Sequence, residues 1–268
     1  MLLLKRGTAI NAKSTDTELA TALAGGAGEI LRSLQAEARP SNKGSLGPEG
    51  DRRSQEFLKK ALHRTRPKDY VLSEEAPDHP GRLSAERVWI IDPLDGTREF
   101  SEGRRDWAVH VALWQRGELV AGAVALPRLA MVFSAQDQGE RAAPHKGLRM
   151  AVSRSRPPEM AQHVAQEVGA DLIPMGSAGF KICAVASGEI DMYLHDGGQY
   201  EWDSAAPVAV ARGAGLHVSR LDGSVPLYNQ ANPYLPDLLV CRPELSGALL
   251  EAIRNSTMIS ARSEGQTK

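Results

Sequence analysis

The sequence predicts a mixed fold, α+β in its first half and α/β in its second half. Three observations support this prediction. A buried apolar run at residues 88–91 ends in two carboxylates, and three predicted strands, the first of them strictly alternating, follow it between residues 106 and 135. After residue 147 the apolar spacing changes back and forth between periods of two and of 3.6 residues, which is typical of alternating strands and helices.

Composition limits the classes of function. The chain has 268 residues, 42% of them apolar and 24% charged, which is ordinary for a globular protein large enough to bury a substantial core. Its formal net charge is -1. This balance provides no general attraction to nucleic acid or to an anionic membrane, so we expect neither as a partner. Any affinity for a phosphate-rich small molecule must therefore be local.

The cysteines and the N-terminus indicate a cytoplasmic protein. Cys183 and Cys241 lack C-x-x-C spacing, so we expect two reduced, buried thiols. The opening residues 1–7 contain three consecutive leucines before two basic residues, a run too short for the core of a signal peptide. No segment approaches the length of a membrane span.

Two helices are predicted before the first strand. Thr15 and Glu18 form a capping-box pattern, and apolar residues then recur at helical spacing over residues 16–36. Residues 39–50 are rich in Pro, Gly, Ser and Asn, so we expect a mobile loop that is disordered without metal. A second helix is predicted to begin just after Asp51, which is a candidate N-cap.

Acidic residues follow two predicted strands. Glu74 and Glu75 come directly after a short apolar strand at residues 71–72, and Asp92 and Asp95 follow the apolar run that ends at residue 91. Polar side chains at the ends of neighbouring strands share one edge of a sheet. We therefore expect these two acidic segments to lie close together.

The loop D-P-L-D-G-T at residues 92–97 is suited to binding a cation and a phosphate. Pro93 stiffens the backbone after the first acid, Gly96 lets a ligand approach the main chain, and Thr97 supplies a hydroxyl that can orient water. Two carboxylates so close together repel each other unless a cation such as Mg²⁺ lies between them. The alternatives are a simple Asp-Gly turn and a D-x-D-x-T phosphotransferase loop, whose spacing is one residue shorter.

An antiparallel meander is predicted after this loop, with strands at residues 106–114, 118–126 and 131–135. His110 lies mid-strand among apolar residues, so we expect a structural histidine rather than a ligand. The composition changes over residues 137–147. We therefore divide the chain into an N-terminal α+β metal-binding subdomain, 1–146, and a C-terminal α/β subdomain, 147–268, which form one catalytic unit with the site between them.

A fourth acidic position comes from the second half. There the patterns predict strands and helices at 150–152, 157–168, 177–187, 190–194, 216–219, 237–241 and 244–254, with a polar, frayed tail from residue 255. An alanine-rich helix opens within 197–207, with Asp203 at its N-terminal end and Pro207 in about its first turn. Brought together with Glu74, Asp92 and Asp95, this carboxylate would complete a site for two or three Mg²⁺ ions around a phosphorylated ligand.

Three motifs together resemble the inositol monophosphatase superfamily of Mg²⁺-dependent, lithium-sensitive phosphatases. They are Glu74-Glu75, W-I-I-D-P-L-D-G-T at residues 89–97 and W-D-S-A-A at residues 202–206. The resemblance implies the layered αβαβα sandwich of the inositol monophosphatase-like sugar phosphatase fold. Dimers are usual in this family, so the resemblance also allows a homodimer.

The resemblance implies a set of metal ligands. One cation would be bound by Glu74, Asp92 and the carbonyl of Leu94. A second would be bound by Asp92, Asp95 and Asp203, and a third, weaker one would be shared with Glu74.

It also implies the catalytic groups. Asp51 and Thr97 would activate a water molecule that attacks phosphorus directly, and Glu74 would take part as a catalytic residue. The backbone N–H groups of Gly96 and Thr97 would hold the phosphate.

Details of the motifs resemble one branch of the family. The sequences D-G-T-R-E-F at 95–100, S-E-E at 73–75 and E-W-D at 201–203 resemble the bacterial CysQ-type 3'(2'),5'-bisphosphate nucleotidases, especially actinobacterial ones. These enzymes act on 3'-phosphoadenosine 5'-phosphate and its sulfated form, 3'-phosphoadenylyl sulfate. The alternatives are a broader phosphatase for inositol 1-phosphate or fructose 1,6-bisphosphate, and a binding protein that has lost turnover.

A bisphosphorylated nucleotide needs a second anion site. Ser177 and Lys181 lie at the start of a predicted helix, and we expect them to contact the second phosphate or the ribose. Arg98 is a further candidate substrate contact. Tyr200 lies beside Asp203 in sequence, but we expect it to pack against the protein rather than stack on adenine.

Overall fold

Two β-sheets alternate with three layers of helices in the computed structural model, which describes residues 2–3, 10–39, 44–136, 146–155 and 157–265. The first sheet has the strand order β1-β6-β5-β4-β3-β2. Its strands are β1 (Leu2–Leu3), β2 (Tyr70–Ser73), β3 (Arg87–Asp95), β4 (Ala108–Gln115), β5 (Glu118–Leu126) and β6 (Met131–Ser134). Among the described strands of this sheet, only β2 and β3 pair in parallel, so the predicted antiparallel meander is confirmed.

The second sheet has the strand order β10-β11-β9-β7-β8. Its strands are β7 (Leu148–Ser153), β8 (Ala170–Met175), β9 (Met192–Tyr200), β10 (His217–Ser219) and β11 (Tyr234–Cys241). Strand β7 pairs in parallel with both β8 and β9, whereas β11 pairs antiparallel with β9 and β10.

Seven helices cover the two sheets in the described part of the chain. They are α1 (Asp16–Ala36), α2 (Leu46–Thr65), α3 (Thr97–Ser101), α4 (Glu159–Val168), α5 (Ala178–Ser187), α6 (Glu201–Gly213) and α7 (Ser246–Gly265). Short 3₁₀ turns occur at Pro80–Ser84, Pro127–Leu129 and Pro243–Leu245. The capping box predicted at the start of α1 is present, because the Thr15 hydroxyl accepts from the Glu18 N–H and the Glu18 carboxylate accepts from the Thr15 N–H.

The alternation of apolar side chains along the strands produces the layers. On β3, Trp89 and Ile91 pack in a cluster with α1 and α2, whereas Val88 and Ile90 pack in a cluster with α5 and α6. The outer face of the second sheet packs in a third cluster with α4 and α7. Strands covered on both faces have apolar residues at nearly every position, as β3 does. The αβαβα sandwich is therefore confirmed.

The start of α2 differs from the prediction. The helix begins at Leu46 with Ser45 as its N-cap, so Asp51 lies inside it and is not an N-cap. The predicted loop over 39–50 was wrong for Leu46–Gly50, and residues 40–43 of that loop lie outside the described residues. Pro48 is tolerated because a proline in the first helical turn removes no intrahelical hydrogen bond.

The second half contains a strand that the sequence pattern did not predict. Strand β8 forms an edge of its sheet and contains Pro174, a residue that edge strands tolerate but that weakens a strand signal. Strand β9 continues to Tyr200, so Gly197 and Gly198 belong to a strand rather than to the start of α6. Pro207 lies in the second turn of α6, not the first.

Other expectations were confirmed or corrected. Cys183 and Cys241 are free and buried, as predicted. The last helix extends to Gly265, beyond the predicted end at residue 254. Among the described residues, no helix has the length and apolar character needed to cross a membrane. Residues 137–145, where the composition suggested a boundary, lie outside the described residues.

Candidate active site

A β-bulge brings Asp92 and Asp95 to the same face of the first sheet. Residues three positions apart on a regular strand point to opposite faces. Here Asp92 lies opposite His110 and Asp95 lies opposite Ala108, so four residues of β3 face three residues of β4. The extra residue turns Asp95 towards the central helix layer, on the side of Asp92. Both side chains are buried, with 1% and 7% exposure.

Asp95 is held by three partners from two elements. Its Oδ2 accepts a hydrogen bond of 2.5 Å from the Ser177 hydroxyl and one of 2.7 Å from the Gly179 N–H, both at the start of α5. His110 Nε2 lies 3.1 Å from the same oxygen, and His110 Nδ1 lies 3.0 Å from the carbonyl of Trp202. A carbonyl can only accept, so Nδ1 carries the proton. The arrangement fixes Asp95 in one orientation.

Helix α6 adds the third acid. Its first turn carries Asp203, whose Oδ2 accepts a 2.6 Å hydrogen bond from the N–H of Tyr200. One carboxylate oxygen from each of Asp92, Asp95 and Asp203 lies within 4.8 Å of the others. Carboxylate oxygens at this spacing are the donors that a hard divalent cation prefers. These three residues, called the acidic cluster below, could therefore hold such a cation.

Helix α2 brings Asp51 beside Thr97 of the D-P-L-D-G-T loop. Ser54 donates a 2.7 Å hydrogen bond to the carbonyl of Pro93, which attaches the D-P-L-D-G-T loop to the helix. A Cβ on Gly47 would lie 2.8 Å from a methyl carbon of Thr97, and one on Gly50 would lie 2.9 Å from the ring of Phe100. The glycines that suggested a loop are therefore needed because the helix approaches α3 closely.

Glu74 lies at the rim of the same site. It follows β2 in a turn, and its side chain is exposed. Its charge nevertheless contributes to raising the pKa values of Asp51 and Asp92. The end of β2 is held by Ser73, whose hydroxyl donates a 2.8 Å hydrogen bond to Gln55 on α2. The prediction that both acidic segments share one sheet edge is confirmed, since β2 and β3 pair in parallel up to Ser73 and Ile91.

The electrostatics of the site show an excess of negative charge. Burial, followed by the charges of Glu74, Asp95 and Asp203, raises the pKa of Asp92 well above its ordinary value. Burial and the charge of Asp95 raise the pKa of Asp203 to about 7. Burial and the charges of Glu75 and Glu74 raise the pKa of Asp51 to about 7. Partial shielding from water, then the charges of Glu75 and Asp95, raise the pKa of Glu74.

Asp95 is the exception among these acids. Burial opposes its ionisation, but His110, Ser177 and Gly179 outweigh it and lower the pKa of Asp95 to about 2. Burial likewise opposes a charge on His110, but the charge and hydrogen bond of Asp95 raise the pKa of that imidazole. The cluster thus contains one firmly ionised carboxylate with its own histidine partner.

The predicted substrate contacts lie in different surroundings. Lys181 is 5% exposed, and its Nζ donates hydrogen bonds of 3.1 Å and 2.7 Å to the carbonyls of Gly176 and Ser177. Burial lowers the pKa of Lys181 to about 8, although the charges of Asp95 and other nearby acids partly oppose the effect. Arg98 is exposed and pairs with Glu102 at 3.0 Å. A lysine near the start of a helix more often faces solvent, so the sequence pattern did not predict that Lys181 is buried.

The sequence reasoning missed two residues of the site. His110 is a buried structural histidine, as expected, but the sequence did not indicate that its ring contacts Asp95 and links that acid to α6. Gly179 was not singled out, although a Cβ at this position would overlap His110 Nε2. The available signal was weak, because a histidine within an apolar strand next to an acidic strand is a common core arrangement.

Comparisons with known proteins agree with this geometry. The sequence profile of the inositol monophosphatase family matches residues 12–258. The chain belongs to the inositol monophosphatase family. It is 48% identical over 257 residues to the 3'-phosphoadenosine 5'-phosphate phosphatase of Mycobacterium leprae (strain TN), an alignment that covers 91% of this chain and 95% of the relative.

Two more distant members of the inositol monophosphatase family extend the comparison. The 3'(2'),5'-bisphosphate nucleotidase CysQ of Escherichia coli (strain K12) is 32% identical over 180 residues, covering 62% of this chain and 72% of that protein. The crystal structure of CysQ from Bacteroides thetaiotaomicron is 29% identical and superposes with a TM-score of 0.74, over 83% of this chain and 95% of that one. The sequence comparison and the structure comparison thus indicate the same family and the same fold.

Proposed function

We propose that this protein is a Mg²⁺-dependent phosphatase that removes the 3'-phosphate of 3'-phosphoadenosine 5'-phosphate and of its sulfated form, 3'-phosphoadenylyl sulfate. The observation that carries the proposal is the buried acidic cluster of Asp92, Asp95 and Asp203 at one edge of the first sheet. The name of the mycobacterial relative, which is aligned over nearly its whole length, supports this substrate.

The donor set fits a divalent cation. Asp92 Oδ2 and Asp51 Oδ1 are buried oxygens without a hydrogen-bond partner in the described structure. Buried polar atoms are rarely left unpaired, and a binding place for an ion is one recognised reason for an exception. Burial, and then the charges of neighbouring carboxylates, raise the pKa values of Asp92 and Asp203, and a divalent cation bound among these acids would favour their ionised forms.

We assign the ligands as follows. Glu74, Asp92 and the carbonyl of Leu94 would hold one Mg²⁺, Asp92, Asp95 and Asp203 would hold a second, and Glu74 would share a third. Bound Mg²⁺ would lower the pKa of a water molecule and neutralise charge on the phosphate and its leaving oxygen. Mg²⁺ keeps several waters and takes few protein carboxylates, which suits a site that is open to a phosphate ligand.

The residues around this site move the protons of the reaction. We assign to Asp51, a carboxylate that is 8% exposed, the role of accepting a proton from the attacking water. Thr97 lies next to it, and its hydroxyl is held by a 3.1 Å hydrogen bond to the carbonyl of Leu94. The water oxygen forms a bond to phosphorus while the bond from phosphorus to the ribose 3'-oxygen breaks. The products are inorganic phosphate and adenosine 5'-phosphate, with no phosphoenzyme.

The phosphate is oriented by the main chain. We assign this role to the N–H groups of Gly96 and Thr97 at the start of α3. Gly96 has φ of +89°, and a Cβ there would lie 3.3 Å from the Cβ atoms of Ser177 and Trp107. A glycine suits this position because other residues are strained at positive φ and the space is restricted.

Ser177, Lys181 and Arg98 are proposed to bind the rest of the substrate, and Lys181 allows a direct test. If its ammonium contacts the second phosphate, Lys181→Ala should raise KM for 3'-phosphoadenosine 5'-phosphate more than for adenosine 3'-phosphate. If the ammonium only supports the carbonyls of Gly176 and Ser177, the substitution should raise KM by the same factor for both substrates. That result would disprove the contact. Lys68→Ala, at an exposed lysine of another surface, is the control.

The proposed substrate is tested by phosphate release with Mg²⁺ from three compounds. These are 3'-phosphoadenosine 5'-phosphate, inositol 1-phosphate and fructose 1,6-bisphosphate, compared by kcat/KM. We expect the nucleotide to lead by tenfold or more, which corresponds to about 1.4 kcal/mol of transition-state binding. An equal or higher value for a sugar phosphate would favour the broader phosphatase and contradict the nucleotide assignment.

The proposed cellular setting is the cytoplasm, because two buried thiols remain unpaired in the fold. We propose that the enzyme acts on small phosphorylated molecules and forms a homodimer, as the family resemblance allows. Light scattering during gel filtration tests the dimer, since a monomer mass of 28.9 kDa at micromolar concentration would contradict it.

A further inference from the structure

Three aromatic rings, called the aromatic cluster below, lie together beside the acidic cluster. The rings of Tyr200 and Trp202 are stacked, with centroids 4.9 Å apart and planes 7° apart. The ring of Tyr234 meets that of Tyr200 edge-on, at 5.7 Å and 83°. Tyr200 and Tyr234 are 42% and 41% exposed. Large rings usually contribute to stability by burial, so an exposed group of them indicates a surface suited to a flat apolar ligand.

Main-chain hydrogen bonds connect the aromatic cluster to the acidic cluster and its histidine. The N–H of Tyr200 donates to the carboxylate of Asp203, and the carbonyl of Trp202 lies 3.0 Å from His110 Nδ1. Tyr200 and Trp202 are thus attached through their main chains to Asp203 and His110, which belong to the proposed phosphate site. A ligand whose phosphate lies at the acidic cluster therefore has its next chemical group within reach of these rings.

The aromatic cluster is also fixed on the second sheet. Tyr200 and Tyr234 are directly paired across strands β9 and β11. The hydroxyl of Tyr234 accepts a 3.1 Å hydrogen bond from the N–H of Gly198, which has φ of +84°. A Cβ at Gly198 would meet no atom within 4 Å, so the strand leaves open space at this point. Rings mounted on paired strands lose little conformational entropy when a ligand stacks on them.

We propose that the aromatic cluster is the subsite that binds the adenine base of the nucleotide by stacking. This inference rests on the proposed function, because it assigns the base of that substrate to a place in the fold. Tyr200 was expected from the sequence to pack only against the protein. It does pack against Trp202, but its exposure leaves area for a base, and every base offers a flat π-face to an aromatic ring.

The test compares substrates that differ only in the base. The kcat/KM of wild type, Tyr200→Leu and Tyr234→Leu is measured for 3'-phosphoadenosine 5'-phosphate and for ribose 3,5-bisphosphate. We expect the kcat/KM of each variant to fall by about ten- to a hundredfold for the nucleotide. For the base-free compound, kcat/KM should change much less. Tyr200→Phe, which keeps the ring, should restore most of the loss. Val120→Ala, an exposed residue at the opposite end of the first sheet, is the control.

Two results would overturn the inference. Equal losses on both substrates would mean that the tyrosines only support Asp203, and no loss on the nucleotide would mean that the base binds elsewhere. A binding measurement separates this inference from the proposed function. By calorimetry with Mg²⁺, wild type should bind adenosine 5'-phosphate more tightly than ribose 5-phosphate, and Tyr200→Leu should reduce that preference. If the preference is present but no phosphate is released from the bisphosphate nucleotide, the proposed function fails and the base subsite stands.

Discussion

Gly179 lies directly against the ring of His110, so closely that a Cβ at position 179 would overlap Nε2. The same glycine donates its N–H to Asp95 Oδ2, the oxygen that His110 Nε2 also approaches. A missing side chain on α5 therefore allows a histidine on β4 and the backbone of α5 to reach one carboxylate together. The site depends on close approach of two elements that are far apart in sequence.

Gly179→Ala should consequently damage the site more than the fold. The added methyl group must displace His110, and with it the orientation of Asp95. We expect a loss of about 1–3 kcal/mol in unfolding free energy and a fall of at least about a hundredfold in kcat/KM. Urea unfolding and phosphate release measure the two effects. Gly247→Ala, at a helical position with no atom within 4 Å of the added Cβ, should leave the activity unchanged and raise the unfolding free energy by about 1 kcal/mol or less. Full activity of Gly179→Ala would contradict the role of His110.

Asp92→Asn should abolish turnover and stabilise the metal-free protein at pH 8. The substitution removes a carboxyl group whose ionisation in the fold is opposed by burial and then by the charges of Glu74, Asp95 and Asp203. We expect the metal-free Tm to rise by about 2–4 °C for each kcal/mol of relieved repulsion, and kcat/KM with Mg²⁺ to fall by at least about a thousandfold. Scanning calorimetry in EDTA and phosphate release test this pair of effects. Asp171→Asn, at an exposed position on β8, is the matched control. Retained activity would refute the metal assignment.

The stabilisation by Mg²⁺ should increase with pH. The folded, metal-free protein keeps protons on Asp51 and Asp203 up to about pH 7, whereas unfolded aspartates lose theirs near pH 4. The metal-free protein therefore loses stability as the pH rises from about 4 to about 7. Mg²⁺ requires the ionised acids, so its apparent Kd should be about tenfold to a hundredfold weaker at pH 6 than at pH 8. Tm with and without Mg²⁺ across this range checks the trend, and an equal shift at both pH values would disprove it.

Arg82 should be important for stability although it lies outside the acidic cluster. It is fully buried, bonds Asp78 through two nitrogens, and donates to the side chain of Asn229 and the carbonyl of Gln230. Arg82→Leu leaves these acceptors unpaired, so we expect a loss of about 2–4 kcal/mol in urea unfolding. Arg32→Ala removes an arginine that is half exposed with its glutamate partner, and should cost about 0.5 kcal/mol or less. Similar losses for both would contradict this account.

Much of the fold could be predicted because its signals are local. The capping box of α1, the doubly buried strand β3 and the alternating strands of the meander are patterns that neighbouring residues impose on one another. Weak local signals led to the errors. The glycines and proline at the start of α2 resembled a loop because the space that requires them belongs to α3. Strand β8 was missed because pairing with β7, rather than its own sequence, makes it a strand.

The sequence by itself predicted which acids come together, since Asp92, Asp95 and Asp203 lie in short motifs whose residue types and spacing are recognisable without a structure. Only the tertiary structure decided how these acids are oriented and which residues contact them. The bulge that turns Asp95 beside Asp92, the histidine that fixes it and the exposed rings near Asp203 depend on contacts between strands and helices from both halves of the chain. Such contacts join residues that are far apart in the sequence, so no periodic or local pattern indicates them.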